Sequence, residues 1–362
     1  MVHGLVPDAI NLTSVRRVLV TKLRHHGDVL LATPVFQVLK AHAPHVEIDA
    51  LLYSDTHDML EGHPAIDRIH IVDRGWKRQG VGHHARQELA LLKELQGRRY
   101  QLMVHLTTHW RGAWLAHALR PRWSVAVERP SRFWRGSFSH CYKLPRLTPR
   151  HTVETNLDAL RRVGIYPGES EKHLSIHPGA QAEARVDALL AAAGLATKGF
   201  IHVHPTSRWL FKAWTDTANA QLLRRLSADG HRLVITAAPD AREKAIVARI
   251  LAEAGVPVTD FSGQLTLKEL AALVARARLY FGVDSAPMHM AAAVGTPVVA
   301  IFGPSGEKEW GPWRVPHRVV TTNHPCRPCG NDGCGGGKIS ECLTLLPVDR
   351  VHSAVNELLA QP

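Results

Sequence analysis

Residues 279–304, LYFGVDSAPMHMAAAVGTPVVAIFGP, constrain the fold of this chain more than any other stretch. The apolar run Leu279 to Val283 has no polar alternation, the pattern of a strand buried on both faces of a parallel sheet. Asp284 and Ser285 follow, both favourable helix N-cap types, and a small-residue helix from Ala286 to Val294 carries His289. Gly295 and Pro297 stop that helix, and a second buried strand, Val298 to Phe302, ends in Gly303-Pro304. Strand, helix and strand in this order form a βαβ unit. Ligands of such units sit beyond the carboxyl ends of the strands, where helix N-termini attract anions. A capped βαβ unit without a ligand has the same pattern, so this stretch sets the architecture before it sets a function.

The rest of the chain repeats the unit. Arg17 to Leu23 predicts a strand, residues 24–28 (RHHGD) a tight loop, and Val29 to Ala41 a helix with Asp28 near its start. One glycine in this loop is not the three-glycine dinucleotide fingerprint. Strands are predicted at Val46 to Tyr53, Arg68 to Val72 and Leu102 to Leu106, and helices at Thr56 to Gly62, Arg86 to Gln96, Arg111 to Leu119 and Thr152 to Val163. The second half restarts with strands Gly199 to His204, Arg232 to Ala237 and Val256 to Phe261. Its helices are Thr215 to Ala228, Ala241 to Ala254 and Leu267 to Ala277, with a last one at Val348 to Leu359. This alternation predicts an α/β protein of two similar halves, each a parallel sheet covered on both faces, facing across a cleft. The expected division is a loose tail at 1–14, a first domain at 15–165, a Gly/Pro/Ser-rich linker at 166–180, a second domain at 181–346 and a C-terminal helix at 347–362.

Charge is concentrated in the first half. Residues 1–170 hold 24 Lys and Arg against 15 Asp and Glu, whereas residues 171–362 hold 20 against 17. Between Arg120 and Arg150 eight basic residues accompany one acidic residue, Glu128, with Trp123, Phe133, Trp134, Phe138 and Tyr142 interleaved. Such a block suits an anionic partner: nucleic acid, a phosphorylated glycolipid or an anionic membrane surface. A solvated basic face is the plainer alternative. No helix-turn-helix, zinc-finger or RNA-binding signature accompanies the charge, which argues against nucleic acid. No run approaches the ~18 apolar residues of a membrane span. The N-terminus has a Pro and an Asp where a signal peptide needs an apolar core, so the expected location is cytoplasmic. Cys326, Cys329, Cys334 and Cys342 fall in one glycine-rich loop. CxxC with two further cysteines can form a tetrahedral metal site, but the irregular spacing equally fits a reduced, packed loop, and no metal is assigned.

Three features converge on one chemistry. Asp28 stands at the mouth of the first sheet as either a helix cap or a base. Lys212, in the loop after the second domain's first strand, can neutralise a phosphate as a point charge, and Asp284-Ser285-Ala286 offers a helix N-terminus to the same phosphates. A carboxylate that deprotonates an acceptor hydroxyl, with cations stabilising a departing diphosphate, describes group transfer from an activated phosphate donor. It needs no covalent nucleophile, which predicts a single displacement with inversion.

KLRHHGDVLLATPV, HPTSRWLFKAW, TAAPDAREKAIV and the long segment from Ser262 to Ser305 together resemble glycosyltransferase family 9, the ADP-heptose:lipopolysaccharide heptosyltransferases, over almost the whole chain. The resemblance implies the GT-B architecture, two Rossmann-like domains facing across a cleft, with an acceptor-binding first domain and a nucleotide-sugar-binding second one. It puts the catalytic base on Asp28 and the donor-phosphate lysine on Lys212. Thr206, Glu243, Leu265, Asp284, Ser285, Ala286 and His289 become nucleotide-sugar contacts, the last four on a D-[ST]-[GA]-x-x-H pattern. Arg24, Arg132 and Arg135 become acceptor contacts. ADP-heptose is the implied donor, the lipopolysaccharide inner core the acceptor, and the cytoplasmic face of an anionic inner membrane the workplace; no cofactor is implied. The CRPCGNDGC run and His25-His26 are similar to the heptosyltransferase III branch. Another nucleotide-sugar transferase of the same fold, or a non-enzymatic sensor that keeps the donor site, are the competing readings. Asp28 speaks against the sensor, which has no use for a base.

Overall fold

The computed structural model describes residues 6–144 and 148–361. They divide into two compact units, with the boundary between His177 and Pro178.

In the first unit, β1 (Arg17–Thr21), β2 (Glu47–Tyr53), β3 (Arg68–Val72), β4 (Leu102–His105), β5 (Trp123–Val127) and β6 (His140–Tyr142) form one all-parallel sheet of order β3-β2-β1-β4-β5-β6. Its helices are α1 (His26–Leu30), α2 (Thr33–His42), α3 (Val81–Arg98), α4 (Trp110–Leu119), α5 (Arg132–Ser137) and α6 (Thr152–Arg162). Leu19, Leu51, Met103 and Ala126 bring the middle strands into one core with Leu95, Ala113 and Trp134 from the helices. At Gly112 on α4, a Cβ would lie 2.1 Å from His105 Nε2, so only glycine lets that helix settle on the end of β4.

The second unit repeats the plan. β7 (Phe200–His204), β8 (Arg232–Ile235), β9 (Thr259–Asp260), β10 (Leu279–Val283), β11 (Val298–Ile301) and β12 (His317–Val320) run parallel in the order β12-β11-β10-β7-β8-β9. They are covered by α7 (Ala180–Ala192), α8 (Asp216–Ala228), α9 (Ala241–Ala254), α10 (Leu267–Arg276), α11 (Ala286–Ala293), the short α12 (Glu307–Trp310) and α13 (Glu341–Thr344), and α14 (Val348–Leu359). Thr215 and Asp240 cap α8 and α9, and Thr266 with Glu269 forms a capping box on α10. Both sheets reverse their direction of growth once, between β1 and β4 and between β7 and β10. These are the switch points at which open α/β sheets bind ligands.

Several expectations need correction. The described part of the tail, residues 6–14, is not loose: Asp8 pairs with Arg162 at 2.7 Å, Ile10 is buried and bonds Val163, and Leu12–Ser14 forms a 3-10 turn. The expected linker at 166–180 holds a 3-10 turn, Glu169–Lys172, whose Lys172 is buried against Glu154 of α6, so most of it belongs to the first unit. The C-terminal helix is no separate body: Val351, Val355 and Leu358 enter the core of the second unit. The helix predicted from Val29 to Ala41 breaks into α1 and α2 because Pro34 starts a new first turn. Pro257, lacking an N–H, reduces the predicted Val256–Phe261 strand to two residues. The basic block, apart from residues 145–147, which lie outside the described residues, is β5, α5 and β6. Trp134, Phe138 and Tyr142 are buried, so three of its five aromatics are core rather than partner surface. No helix among the described residues is long and apolar enough to cross a membrane.

Candidate functional site

Each unit carries a polar rim at its own switch point. In the first, β1 runs into residues 22–25 and α1, which places Asp28 in the first turn of that helix. Its side chain is 13% exposed and Arg24 Nε lies 3.6 Å from Oδ1. Position 25 is the N-cap and makes no side-chain cap bond, so Asp28 sits three residues inside the helix rather than capping it. Beneath it Lys22 is buried, its Nζ donating to Leu106 O (3.2 Å) and Asn156 Oδ1 (2.9 Å), while Asn156 Nδ2 donates to Leu31 O (2.9 Å). One amine therefore ties the loops after β1 and β4, the end of α1, and α6.

Burial pushes the Lys22 amine from its ordinary 10.5 down to about 8, against the attraction of Asp28 and with a smaller push from Arg24. Between these two values the unfolded chain binds the proton and the folded chain does not, so stability rises with pH across that window. From pH 7.5 to 10 the gain is about 2 kcal/mol. Urea unfolding of Lys22→Met is expected to lack this gain, so the wild type should improve relative to the variant as pH rises. Parallel pH dependence in the two proteins would contradict a buried, titrating Lys22.

The surroundings of Asp28 are cationic. His109, in the loop after β4, is held below the usual imidazole range first by burial and then by Arg111, Lys77, Arg129 and Arg24. Arg111 is neutralised by a two-point pair with Glu88, at 2.6 and 2.7 Å. Arg129 donates to Thr108 O at 2.5 Å and stacks over Trp110 at 4.9 Å. Arg24, Arg129 and Lys77 thus form a cationic rim around His109, which Arg24 joins to Asp28. Of the arginines predicted for the acceptor, Arg24 belongs to this rim. Arg132 and Arg135 are exposed on α5, with Arg135 bearing on Cys141 of β6. Arg129 and Lys77 were not singled out from sequence, because only folding brings the ends of β1, β3, β4 and β5 together.

The second rim follows four adjacent strands. After β7, Thr206 is buried and its Oγ1 donates to Glu243 Oε2 at 2.7 Å, so the first turn of α9 is bound to the loop after β7. Lys212 Nζ donates to Asp284 Oδ2 at 2.5 Å, with the two side chains 22% and 6% exposed, and so bridges the switch point. Ser285 is the N-cap of α11, but its hydroxyl turns back to Val283 O (3.3 Å) and makes no cap bond. Ser285 and Ala286 are half-buried, and His289, one helical turn beyond Ser285, is buried on the same side. Leu265, after β9, packs partly against the core next to Phe261. Thr206, Lys212, Glu243, Asp284, Ser285, Ala286 and His289 are therefore gathered on one rim, with Leu265 at its β9 end.

Two groups that sequence reasoning missed support this rim. Ser340 Oγ donates to Phe211 O at 2.6 Å, next to Lys212. Arg327 reaches Gly303 O (2.7 Å), Thr322 O (3.2 Å) and Glu307 (3.0 Å). The cysteine loop is thus packed against the ends of β7 and β11. Its four cysteines are free thiols, Cys342 buried and the others at or near the surface. Among the described residues no three of their Sγ atoms lie within 4.8 Å of one another.

A carboxylate with a cation at one switch point, and a lysine beside a helix N-terminus at the other, are groups that transfer from a nucleotide-sugar donor can use. The comparisons agree. The family model for glycosyltransferase family 9 (heptosyltransferase) matches residues 88–339. The chain is 35% identical over 295 residues to the lipopolysaccharide heptosyltransferase 3 of Escherichia coli, covering 80% of this chain and 84% of that protein. The structure of the glycosyl transferase family 9 protein from Veillonella parvula DSM 2008 superposes with a TM-score of 0.83 at 22% identity, covering 97% of this chain and 99% of that one. The E. coli heptosyltransferase WaaC with ADP superposes with a TM-score of 0.70 at 16% identity, covering 94% and 99%. The chain belongs to glycosyltransferase family 9, with the GT-B fold, and within it is similar to the heptosyltransferase III branch.

Proposed function

We propose that this enzyme transfers L-glycero-D-manno-heptose from ADP-heptose to an inner-core heptose of lipopolysaccharide, with inversion. The observation that carries the reading is the placement of Asp28 and Lys212, each at the switch point of its own sheet. Asp28 takes the proton from the acceptor hydroxyl as its oxygen bonds to C1 of the heptose. The C1–O bond to the diphosphate breaks in the same step, and ADP leaves with the bonding pair. Lys212 and the backbone N–H groups at the start of α11 meet the charge that develops on the leaving oxygen. Asp284 holds the Lys212 amine in place, and Glu243, fixed by Thr206, is the carboxylate for the ribose of the nucleotide. Arg24, Arg129 and Lys77 receive the phosphorylated inner core at the cytoplasmic face of the inner membrane, with Arg132 and Arg135 further out on the acceptor side.

The test is donor choice. Purified enzyme with lipopolysaccharide lacking its side-branch heptose should consume ADP-heptose and ignore UDP- and GDP-sugars. Consumption of one of the latter would move the enzyme to a different donor, and donor binding without transfer would make it a sensor. For the acceptor rim, Arg24→Ala with Arg129→Ala is expected to raise the acceptor KM ~10-fold while ADP affinity holds, since each lost contact to an anion is a charge-assisted one. Added salt should raise the wild-type KM more than that of the variant, by screening. Acceptor kinetics indifferent to both changes would return these arginines to a solvated basic face.

A further inference from the structure

We propose that α3, α4 and α5 of the first domain form a surface that docks on an anionic phospholipid bilayer, with Trp114, Phe133 and Leu89 entering the boundary between headgroups and acyl chains. The inference rests on the reading above, in which the acceptor is lipid-anchored, and names the surface by which the enzyme reaches it.

Four large apolar side chains are exposed together here: Trp114 by 64%, Leu89 by 58%, Trp110 by 41% and Phe133 by 37%. They form one continuous feature. Trp110 and Trp114 lie one helical turn apart on α4, and the ring of Phe133, from α5, stands 5.9 and 5.0 Å from theirs. Next to them an apolar groove of about 430 Å³ runs between α3 and α4, lined by Leu89, Leu92, Trp110, Trp114 and Leu115. A soluble chain gains by burying such side chains, and a gathered, exposed set marks a surface that something covers.

Charge identifies what covers it. Arg132 and Arg135 flank Phe133 on α5, both exposed, and among the described residues neither pairs with a carboxylate. Arg129 stacks on Trp110. The one acid between residues 120 and 150, Glu128, already faces Lys143 at 3.9 Å. A second copy docked on the same face about a two-fold axis would set these arginines against their own counterparts. An anionic leaflet answers them instead, and tryptophan beside arginine is the composition that settles at a membrane interface. The position fits as well. Helices α4 and α5 start beyond the carboxyl ends of β4 and β5, the edge of the sheet that carries Asp28, so lipid under this face would bring an anchored acceptor to the cationic rim.

The experiment uses the full-length enzyme and two vesicle types, phosphatidylcholine alone and phosphatidylcholine mixed with phosphatidylglycerol. The wild type is expected to sediment with the mixed vesicles and little with the neutral ones. Trp114→Ala with Phe133→Ala should weaken that partition ~10-fold or more, as expected when buried apolar contacts are removed from an interfacial surface. Leu89→Glu, on the exposed wall of the groove, should do the same without moving the melting temperature. Turnover of a deacylated, water-soluble acceptor should be unchanged in these variants while turnover of vesicle-embedded lipopolysaccharide falls. That first assay reports on the catalytic reading whether or not docking occurs. Partition unaffected by the substitutions would overturn the proposal. So would a wild-type dimer in sedimentation velocity that the variants dissolve while vesicle binding persists, which would assign the face to a second copy.

Discussion

Asp28→Asn is expected to fold, to bind ADP-heptose normally, and to lose ~10²-fold or more in kcat, the span usual for a general base. The substitution keeps the size of the side chain and removes its charge and proton affinity. The structure sharpens the comparison, because Asp28 stands inside the first turn of α1 and the N-cap belongs to residue 25. Asparagine therefore gives up no cap bond, but it does lose the ion pair with Arg24 and the attraction between a carboxylate and a helix N-terminus, the latter worth about 0.3–1 kcal/mol. Buried Lys22 loses the charge that favours its protonated form, so a small stability loss near neutral pH is part of the same prediction. A thermal melt beside a transfer assay on one preparation separates the possibilities. A kcat reduced less than about threefold, with the fold intact, would remove Asp28 from the mechanism.

Lys212→Ala is expected to cost at least ~10-fold in kcat/KM, about 1.4 kcal/mol of transition-state stabilisation, and to weaken ADP binding. The pairing with Asp284 makes the outcome more specific. Without the lysine, a carboxylate that is only 6% exposed stays at the start of α11 with its partner gone. It then opposes the diphosphate as well as costing stability, because breaking a buried pair leaves an uncompensated charge. Adding Asp284→Asn to Lys212→Ala should therefore recover part of the ADP affinity and part of the stability, although not the rate. Calorimetric titration with ADP across the two single variants and the double variant measures this coupling. Strictly additive losses would show that Asp284 does not act through Lys212.

Much of the architecture was legible because parallel strands buried on both faces leave unbroken apolar runs. Leu279–Val283 matches its predicted limits, and so do the helices Ala241–Ala254 and Val348–Leu359, whose apolar stripes are plain. What escaped was short or mixed in composition. Strands β5 and β6 lie in a basic segment, and α7 is so rich in alanine that it shows little apolar stripe. The candidate site divides the same way. Asp284 could be picked out because it follows an apolar strand directly, and Asp28 and Lys212 because they lie in the loop-to-helix segments after β1 and β7, where a polar residue must face a ligand, a cap or solvent. The contacts that hold the two rims together could not be. Lys22 meets Asn156 from 134 residues away and Lys212 meets Asp284 from 72, and no local pattern records either contact. The interleaved aromatics of the basic block misled for a related reason. Trp134 and Phe138 face the core, while the exposed aromatic surface is completed by Trp110 and Trp114 from the preceding helix.

The central claim is heptosyl transfer by direct displacement at C1, and the linkage formed in one reaction tests it most directly. Wild-type enzyme is given ADP-L-glycero-β-D-manno-heptose and lipopolysaccharide lacking the side-branch heptose, and the anomeric configuration of the new bond is read by NMR. A single displacement driven by Asp28 predicts one added heptose in α linkage. A β-linked heptose, or no heptose added by folded enzyme that binds ADP, would contradict it.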